Sequence, residues 1–131
     1  MFDSNVPEFF TPPERTAFVA FLSDLPGPYY VIESGGLIVA SGGYAIVGAE
    51  SRADLCWGMV ERRLHGRGIG RFLTDLRINA ARRDPRARSI ILNTSQHTQT
   101  FYERLGFVTE SFTEDGFGPG LHRCDMRLEL H

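Results

Sequence analysis

Hydrophobic and polar residues follow two kinds of pattern along the 131-residue chain, and these patterns predict where its strands and helices lie. β-branched and aromatic runs bounded by glycine or proline predict strands, whereas apolar residues three or four positions apart predict helices. The runs with strand character cover residues 29–33, 37–47, 54–60, 89–93, 107–112 and 121–130. Because short turns separate the first three runs, we expect an antiparallel meander at the start of the sheet.

Helical spacing is strongest from residue 69 until Asp84-Pro85, where proline ends the pattern. This segment predicts an amphipathic helix of about four turns. Its apolar stripe consists of Ile69, Phe72, Leu73, Leu76 and Ala80. Arg77, Arg82 and Arg83 are expected on its solvated face.

Two shorter helices are predicted. One begins in the segment 11–14, and the other can be capped by Thr94-Ser95, carries Phe101, Tyr102 and Leu105, and is closed by Gly106. Gly42-Gly43 predicts a bulge in the second strand. The glycine-rich segment 115–123 is expected either to rim a binding site or to be an ordinary hairpin connection.

The length and the hydrophobic fraction of 42% predict one domain across residues 1–131. The sequence has no apolar run long enough to span a bilayer and does not begin like a signal peptide, so we expect a soluble, cytoplasmic protein without membrane contact. Cys56 and Cys124 lack the spacing of metal ligands and are expected to be buried thiols. No metal is expected.

Arginine is concentrated in one part of the chain. Nine of the fourteen arginines lie in residues 62–88, where only Asp75 and Asp84 oppose them, and acidic segments flank this block. The sequence contains no lysine, which excludes a Walker-type phosphate loop. Nucleic-acid binding through these arginines is an alternative hypothesis. Phe72 is the one aromatic residue among them that could stack on bases, so we expect no nucleic-acid partner.

Glycine occupies every second position of the turn His65-Gly66-Arg67-Gly68-Ile69-Gly70, between the predicted strand 54–60 and the long helix. Absent side chains let a ligand approach backbone N–H groups, and the positive end of the helix favours an anion there. Close packing of strand and helix is the alternative reading. A dinucleotide fingerprint is excluded, because the third glycine comes one position early and no acidic residue stands in Arg86–Ile90.

This turn and a second motif resemble those of the GCN5-related N-acetyltransferase (GNAT) family. The family pattern Gln/Arg-x-x-Gly-x-Gly/Ala after a strand ending in valine is matched by His65 to Gly70 after Val60. The family helix that ends in an aromatic residue, tyrosine, and then Gly-Phe is matched by residues 101–107. The order and separation agree, and the resemblance covers nearly the whole chain.

The resemblance implies a mixed α/β fold (α+β mixed sheet) with an antiparallel meander, then splayed parallel strands flanked by helices. It also implies acetyl-CoA as acyl donor, with its pyrophosphate on the turn and its pantetheine against the strand. The implied cofactor-binding residues are Met59, Val60, His65, Gly66, Arg67, Gly68, Ile69, Gly70, Arg71 and Gln96. His65 replaces the usual glutamine or arginine, and Gln96 replaces an asparagine often found in the family.

For the chemistry, the resemblance implies that Tyr102 is the general acid that protonates the departing CoA thiolate. No motif identifies a general base for the acceptor amine. Glu61 and His97 are the leading candidates for their proximity to the two motifs, Glu33 and Asp54 are others, and a water relay could replace all four.

The expected function is therefore acetyl-CoA-dependent transfer of an acetyl group to a primary amine, by direct attack in a ternary complex. The alternative is a non-catalytic acyl-CoA-sensing or regulatory module. The acceptor is a small-molecule amine or a protein or peptide amine. Residues 1–10 leave little room for the strand that usually begins the family fold, and an exposed sheet edge there makes a homodimer a further hypothesis.

Overall fold

A computed structural model describes residues 1–6 and 8–130. In this part of the chain the helices are α1 (Glu14–Ser23), α2 (Ile69–Arg82) and α3 (Gln99–Glu103), and the strands are β1 (Tyr29–Ser34), β2 (Leu37–Val47), β3 (Arg52–Val60), β4 (Ser89–Thr94), β5 (Val108–Gly118) and β6 (Leu121–Glu129). Within the described residues, no helix has the length and apolar character needed to cross a membrane.

The six strands form one mixed sheet in the order β1-β2-β3-β4-β6-β5. The pairs β1/β2 and β2/β3 are antiparallel, which confirms the predicted meander. Strands β3 and β4 are parallel and share only three residue pairs, the last being Asp54 with Ile91. The remaining pairs, β4/β6 and β6/β5, are antiparallel. This is the mixed α/β architecture expected from the sequence, with two half-sheets joined by a short parallel ladder.

The main core lies where α2 and the segment around α3 pack on the sheet. Ile78 and Ala81 of α2 join Ile90 and Leu92 of β4 and Phe107 in one buried cluster. Alternate residues of β4 point to one face, so Ile90 and Leu92 contribute together. Burial of these side chains holds α2 against the sheet beside the parallel ladder of β3 and β4.

The buried face of α2 differs from the predicted stripe. Leu73, Arg77 and Ala81, spaced four residues apart, face the sheet, whereas Phe72 is 61% exposed. Arg77 is 2% exposed, so its predicted place on the solvated face is wrong. The helix packs against β2 and β3, where glycines leave room for a long side chain, as described below.

The segment 115–123 forms a hairpin, and its Phe117 also borders the cavity described below, so the two expectations for this segment are compatible. β5 extends to Gly118 and β6 begins at Leu121, so most of the segment 115–123 is strand and the connection is a tight turn. Gly120 has φ of +75°, a conformation that suits glycine in such a turn.

No strand precedes β1 in the described residues; the N-terminal segment instead makes a 3-10 turn at Asp3–Asn5. Phe2 packs with Phe18 and Met59 in a second buried cluster. The buried Asn5 donates from Nδ2 to the Val60 carbonyl oxygen at 2.9 Å. The segment is thereby attached to the C-terminal end of β3.

Candidate active site

The sheet opens between β3 and β4 beyond the Asp54–Ile91 pair. A cavity of about 840 Å³ lies at this opening. It is bordered by β3, β4, the N-terminal turn of α2, α3 and the N-terminal segment. Strand residues past the last ladder pair have backbone groups available on that side, because β4 no longer pairs with them.

Both sequence motifs border this one cavity. The predicted site residues that line it are Asp54, Met59, Val60, His65, Gly66, Gly68, Gly70, Arg71, His97 and Tyr102. The turn before α2 and the tyrosine of α3 are thus brought together from positions more than 30 residues apart. The predicted residues outside the lining, within the described chain, are Glu33, Glu61, Arg67, Ile69 and Gln96.

The turn depends on two of its three glycines. Gly66 and Gly68 have φ of +78° and +82°, which L side chains rarely adopt. A Cβ at either position would meet nothing within 4 Å, so the backbone there is open to a ligand. Gly70 has no positive φ, and a Cβ would touch only Val60 at 3.7 Å. α2 begins at Ile69, directly after Gly68. The free N–H groups at the start of this helix therefore lie beside the cavity.

The charged side chains of the turn have mixed environments. Arg71 is paired with Asp75 one helical turn later, with Nε 3.0 Å from Oδ2. His65 is exposed, and its Nε2 lies 2.8 Å from the Val60 carbonyl oxygen. Arg71 can reach an anion at the helix start, whereas His65 ties the turn to the end of β3.

Tyr102 lies on α3 between two aromatic rings. Phe101 and Phe107 each meet it edge-on, with ring centroids 5.0 and 5.6 Å away. These contacts restrict the ring, and Tyr102 borders the cavity from the side of β4. A phenol held in this way can deliver a proton to one defined place.

The base candidates occupy different surroundings. His97 borders the cavity and packs against Phe9. Glu61 lies near the amino terminus; burial acts to raise its pKa, but hydrogen bonds to Ser4 and the terminal ammonium hold the pKa below its usual value. Asp54 lines the cavity while its Oδ1 accepts from Arg52 at 2.8 Å. Glu33 is exposed on β1, far along the sheet from β4.

Gln96 connects the segment after β4 to the C-terminal hairpin. Its Nε2 donates to the Gly120 carbonyl oxygen, and its Oε1 accepts from the His122 amide, both at 2.8 Å. Both ends of the amide are therefore engaged with the β5–β6 turn.

A bulge in β3 was only partly anticipated. Ser41 pairs with Met59 and Gly43 pairs with Cys56, so Gly42 of β2 faces two residues, Trp57 and Gly58. The irregularity falls at the predicted glycines, but the extra residue is in β3, not in the second strand. Trp57 has φ of +43°, a genuine departure for a bulky residue.

Phe9 and Phe10 of the N-terminal segment and Phe21 of α1 line part of the cavity wall, a role that the sequence does not predict. Phe9 meets the rings of His65 and His97 edge-on, at 5.1 and 5.8 Å. The ring centroids of Phe10 and Phe21 lie 6.0 and 6.3 Å from that of Trp57. Only their aromatic character marked these residues, and that character alone indicates core packing.

Cys56 lines the cavity beside the bulge. Burial and the nearby Asp54 carboxylate raise the pKa of its thiol to about 11. The thiol is therefore protonated at neutral pH and is a weak nucleophile.

Comparison with known proteins identifies the family. Residues 26–130 match the family model of the acetyltransferase (GNAT) domain. No curated protein matches the sequence. Among solved structures, a protein from Desulfovibrio desulfuricans assigned to the GNAT acetyltransferase family superposes with a TM-score of 0.79 at 24% identity, covering 99% of this chain and 88% of that chain.

Two further structures are similar. YncA from Salmonella typhimurium, solved with its cofactor acetyl-CoA, gives a TM-score of 0.67 at 21% identity and covers 91% of this chain and 73% of that chain. The ribosomal-protein-S18-alanine N-acetyltransferase of Escherichia coli gives 0.71 at 16% identity, covering 88% of this chain and 76% of that chain. The TM-scores of these three structures show a shared fold at low sequence identity. The family is shown by the family model, which matches most of the sequence. The chain belongs to the GNAT family of N-acetyltransferases.

Proposed function

We propose that the protein transfers an acetyl group from acetyl-CoA to a primary amine by direct attack in a ternary complex. The observation that carries this proposal is that the glycine turn and Tyr102 line the same cavity, at the point where β3 and β4 separate. One end of that cavity suits an anionic phosphate and the other holds a proton donor.

The cavity fits acetyl-CoA in its chemistry and its exposed backbone. The pyrophosphate would lie on the amides of residues 65–71, where Gly66 and Gly68 leave open space and the helix dipole favours an anion. Arg71 would add a charge-assisted hydrogen bond, with exposed Arg67 nearby in sequence. The pantetheine amides would pair with the edge of β3 at Met59, beside Val60, whose carbonyl oxygen already lies 2.9 Å from Asn5 Nδ2 and 2.8 Å from His65 Nε2.

The reaction requires an alkylammonium to lose two protons, one before the attack and one, released to solvent, after the N–C bond forms, and it requires one proton to reach sulfur. An alkylammonium has a pKa near 10 and must lose a proton before its lone pair can attack. As the N–C bond forms and the C–S bond breaks, Tyr102 donates its phenolic proton to sulfur and regains one from solvent. His97, which borders the cavity, is the first candidate to accept the amine's proton directly or through water. Bound acetyl-CoA supplies the activated acyl group.

The acceptor is an amine of a small molecule or of a protein or peptide. Glu14 and Asp54 place carboxylates in a wall that is otherwise rich in aromatic rings. Such a wall suits a cationic group attached to an apolar one, since carboxylates attract the ammonium and rings cover the rest.

The test is release of free CoA thiol when the protein is mixed with acetyl-CoA and a panel of amines. The panel should contain small alkyl, aromatic and polycationic amines and peptides with free N-termini, and acetylated products are identified by mass spectrometry. Amine-dependent CoA release with acetylated product supports transfer. Saturable acetyl-CoA binding without product for any amine would instead indicate the sensing module.

A further inference from the structure

Arg77 is a buried cation without a counter-ion. It is 2% exposed, and no carboxylate among the described residues lies within ion-pair distance. Its Nη1 donates to the Gly43 carbonyl oxygen at 3.3 Å, and its Nε has no hydrogen-bond partner. An unpaired charge in such a place is costly, and an apolar side chain of similar size would be less so.

The guanidinium rests on the bulge of β3. A Cβ on Gly58 would lie 2.7 Å from its Nη2, and a Cβ on Gly42 would lie 3.1 Å from its Nη1. These two glycines face each other at the irregular step between β2 and β3. The absence of side chains at both positions leaves room for the guanidinium, and a Cβ at Gly58 would displace it.

A second side chain holds the same bulge from β1. Tyr29 donates from its hydroxyl to the Trp57 carbonyl oxygen at 3.0 Å, and its Oη is also 3.0 Å from Ser41 Oγ. The positive φ of Trp57 turns its peptide groups away from regular strand geometry. Tyr29 thus bonds to the bulge itself, whereas Arg77 packs against Gly58 and bonds to Gly43 of the neighbouring strand β2.

The bulge lies where it can control the opening of the sheet. It follows the last β3/β4 pair at Asp54 and precedes Met59 and Val60, which line the cavity. A bulge bends its strand and increases the local twist. The course of β3 along the opening is therefore set at Trp57 and Gly58.

We propose that Arg77 is a positioning residue that fixes the bulge at Trp57–Gly58 and thereby sets the edge of β3 against which acetyl-CoA is held. This inference rests on the proposed acetyl transfer for its kinetic consequence only. Its structural consequence, a change at the bulge, is measurable without turnover.

The experiment compares Arg77→Met, Arg77→Lys and Arg83→Met with the wild-type protein. Arg83 is exposed at the C-terminal end of α2, so its replacement removes the same charge from the same helix. Because Trp57 is the single tryptophan of the chain, its fluorescence reports on the bulge directly. The other measurements are urea unfolding, acetyl-CoA binding, and kcat and KM for an accepted amine.

Arg77→Met is expected to shift the Trp57 emission and to lower kcat by about 10²-fold, the usual effect of misplacing reacting groups by about 1 Å. The urea midpoint should stay unchanged or rise, because an unpaired buried charge has been removed. Arg77→Lys should recover part of kcat, and Arg83→Met should behave as wild type. A merely structural role would instead lower the urea midpoint and the activity together.

Gly58→Ala provides a second variant, which keeps the charge but displaces the guanidinium. It should shift the Trp57 emission as Arg77→Met does, and adding Arg77→Met to it should cause little further shift. An unchanged Trp57 emission in folded Arg77→Met overturns the inference, whatever the activity. If the wild type acetylates no amine, the proposed function fails while the fluorescence comparison still decides the role of Arg77.

Discussion

Replacing Gly68 with alanine tests whether the turn before α2 holds the pyrophosphate. Gly68 has φ of +82°, and a Cβ there would meet nothing within 4 Å, so the substitution acts through backbone conformation alone. An L residue in this region costs about 1–2 kcal/mol. The turn relaxes in the free protein and must be restored on binding, so the dissociation constant for acetyl-CoA should rise by about 5- to 30-fold. Isothermal titration calorimetry measures it directly.

Gly36→Ala is the matched control. Gly36 has φ of +80° and equally open surroundings, but it lies in the β1–β2 turn, away from the cavity. This variant should lose about 1–2 kcal/mol of unfolding free energy with no change in acetyl-CoA affinity. Wild-type affinity in a folded Gly68→Ala variant would refute the assignment of the turn to the phosphates.

Three other predictions follow from the site and the sheet edge. Tyr102→Phe should lower kcat by about 10²- to 10⁴-fold in the CoA-release assay while leaving acetyl-CoA affinity near wild type; unchanged kcat would exclude Tyr102 as the proton donor. Cys56, whose thiol pKa is raised to about 11, should react with iodoacetamide at pH 8 about 10²-fold more slowly than an ordinary thiol. The reaction rate should rise with pH up to about pH 11, and mass spectrometry locates the adduct. A rate that levels off near pH 9 would contradict the raised pKa. β1 is an edge strand of the sheet among the described residues, and its Val31 is 53% exposed, so its outer edge should pair with a second copy of the chain. Light scattering should give a dimeric mass at micromolar concentration, and Val31→Lys should reduce the dimer fraction. A monomeric wild-type protein would remove this hypothesis.

Strand and helix positions were readable from the sequence because local patterns determine them. The bounds of β2 agree with the predicted range, and α2 begins at the residue after the second glycine of its turn. The glycine turn and Tyr102 line one cavity, as the resemblance to the family implies, because the order of the two motifs along the chain matches the fold that joins them.

Other features depended on partners distant in sequence. The apolar pattern of α2 predicts a buried face that is shifted by one residue towards the N-terminus from the observed one. It assigns Phe72 to the core and Arg77 to the surface, whereas Phe72 is exposed and Arg77 is buried. The signal was present in part: Arg77 stands four residues after Leu73 and four before Ala81, on their face of the helix. Its burial required Gly42 and Gly58 from two other elements, which no local pattern reveals.

The short ladder between β3 and β4 affects how the protein unfolds. Three residue pairs join a half-sheet of β1, β2 and β3 to another of β4, β6 and β5. Amide hydrogen exchange should therefore resolve two cooperative units that open with different free energies. A molecule seated between β3 and β4 would bond to both units, so substrate binding would also act as a cross-link that makes the two halves unfold together.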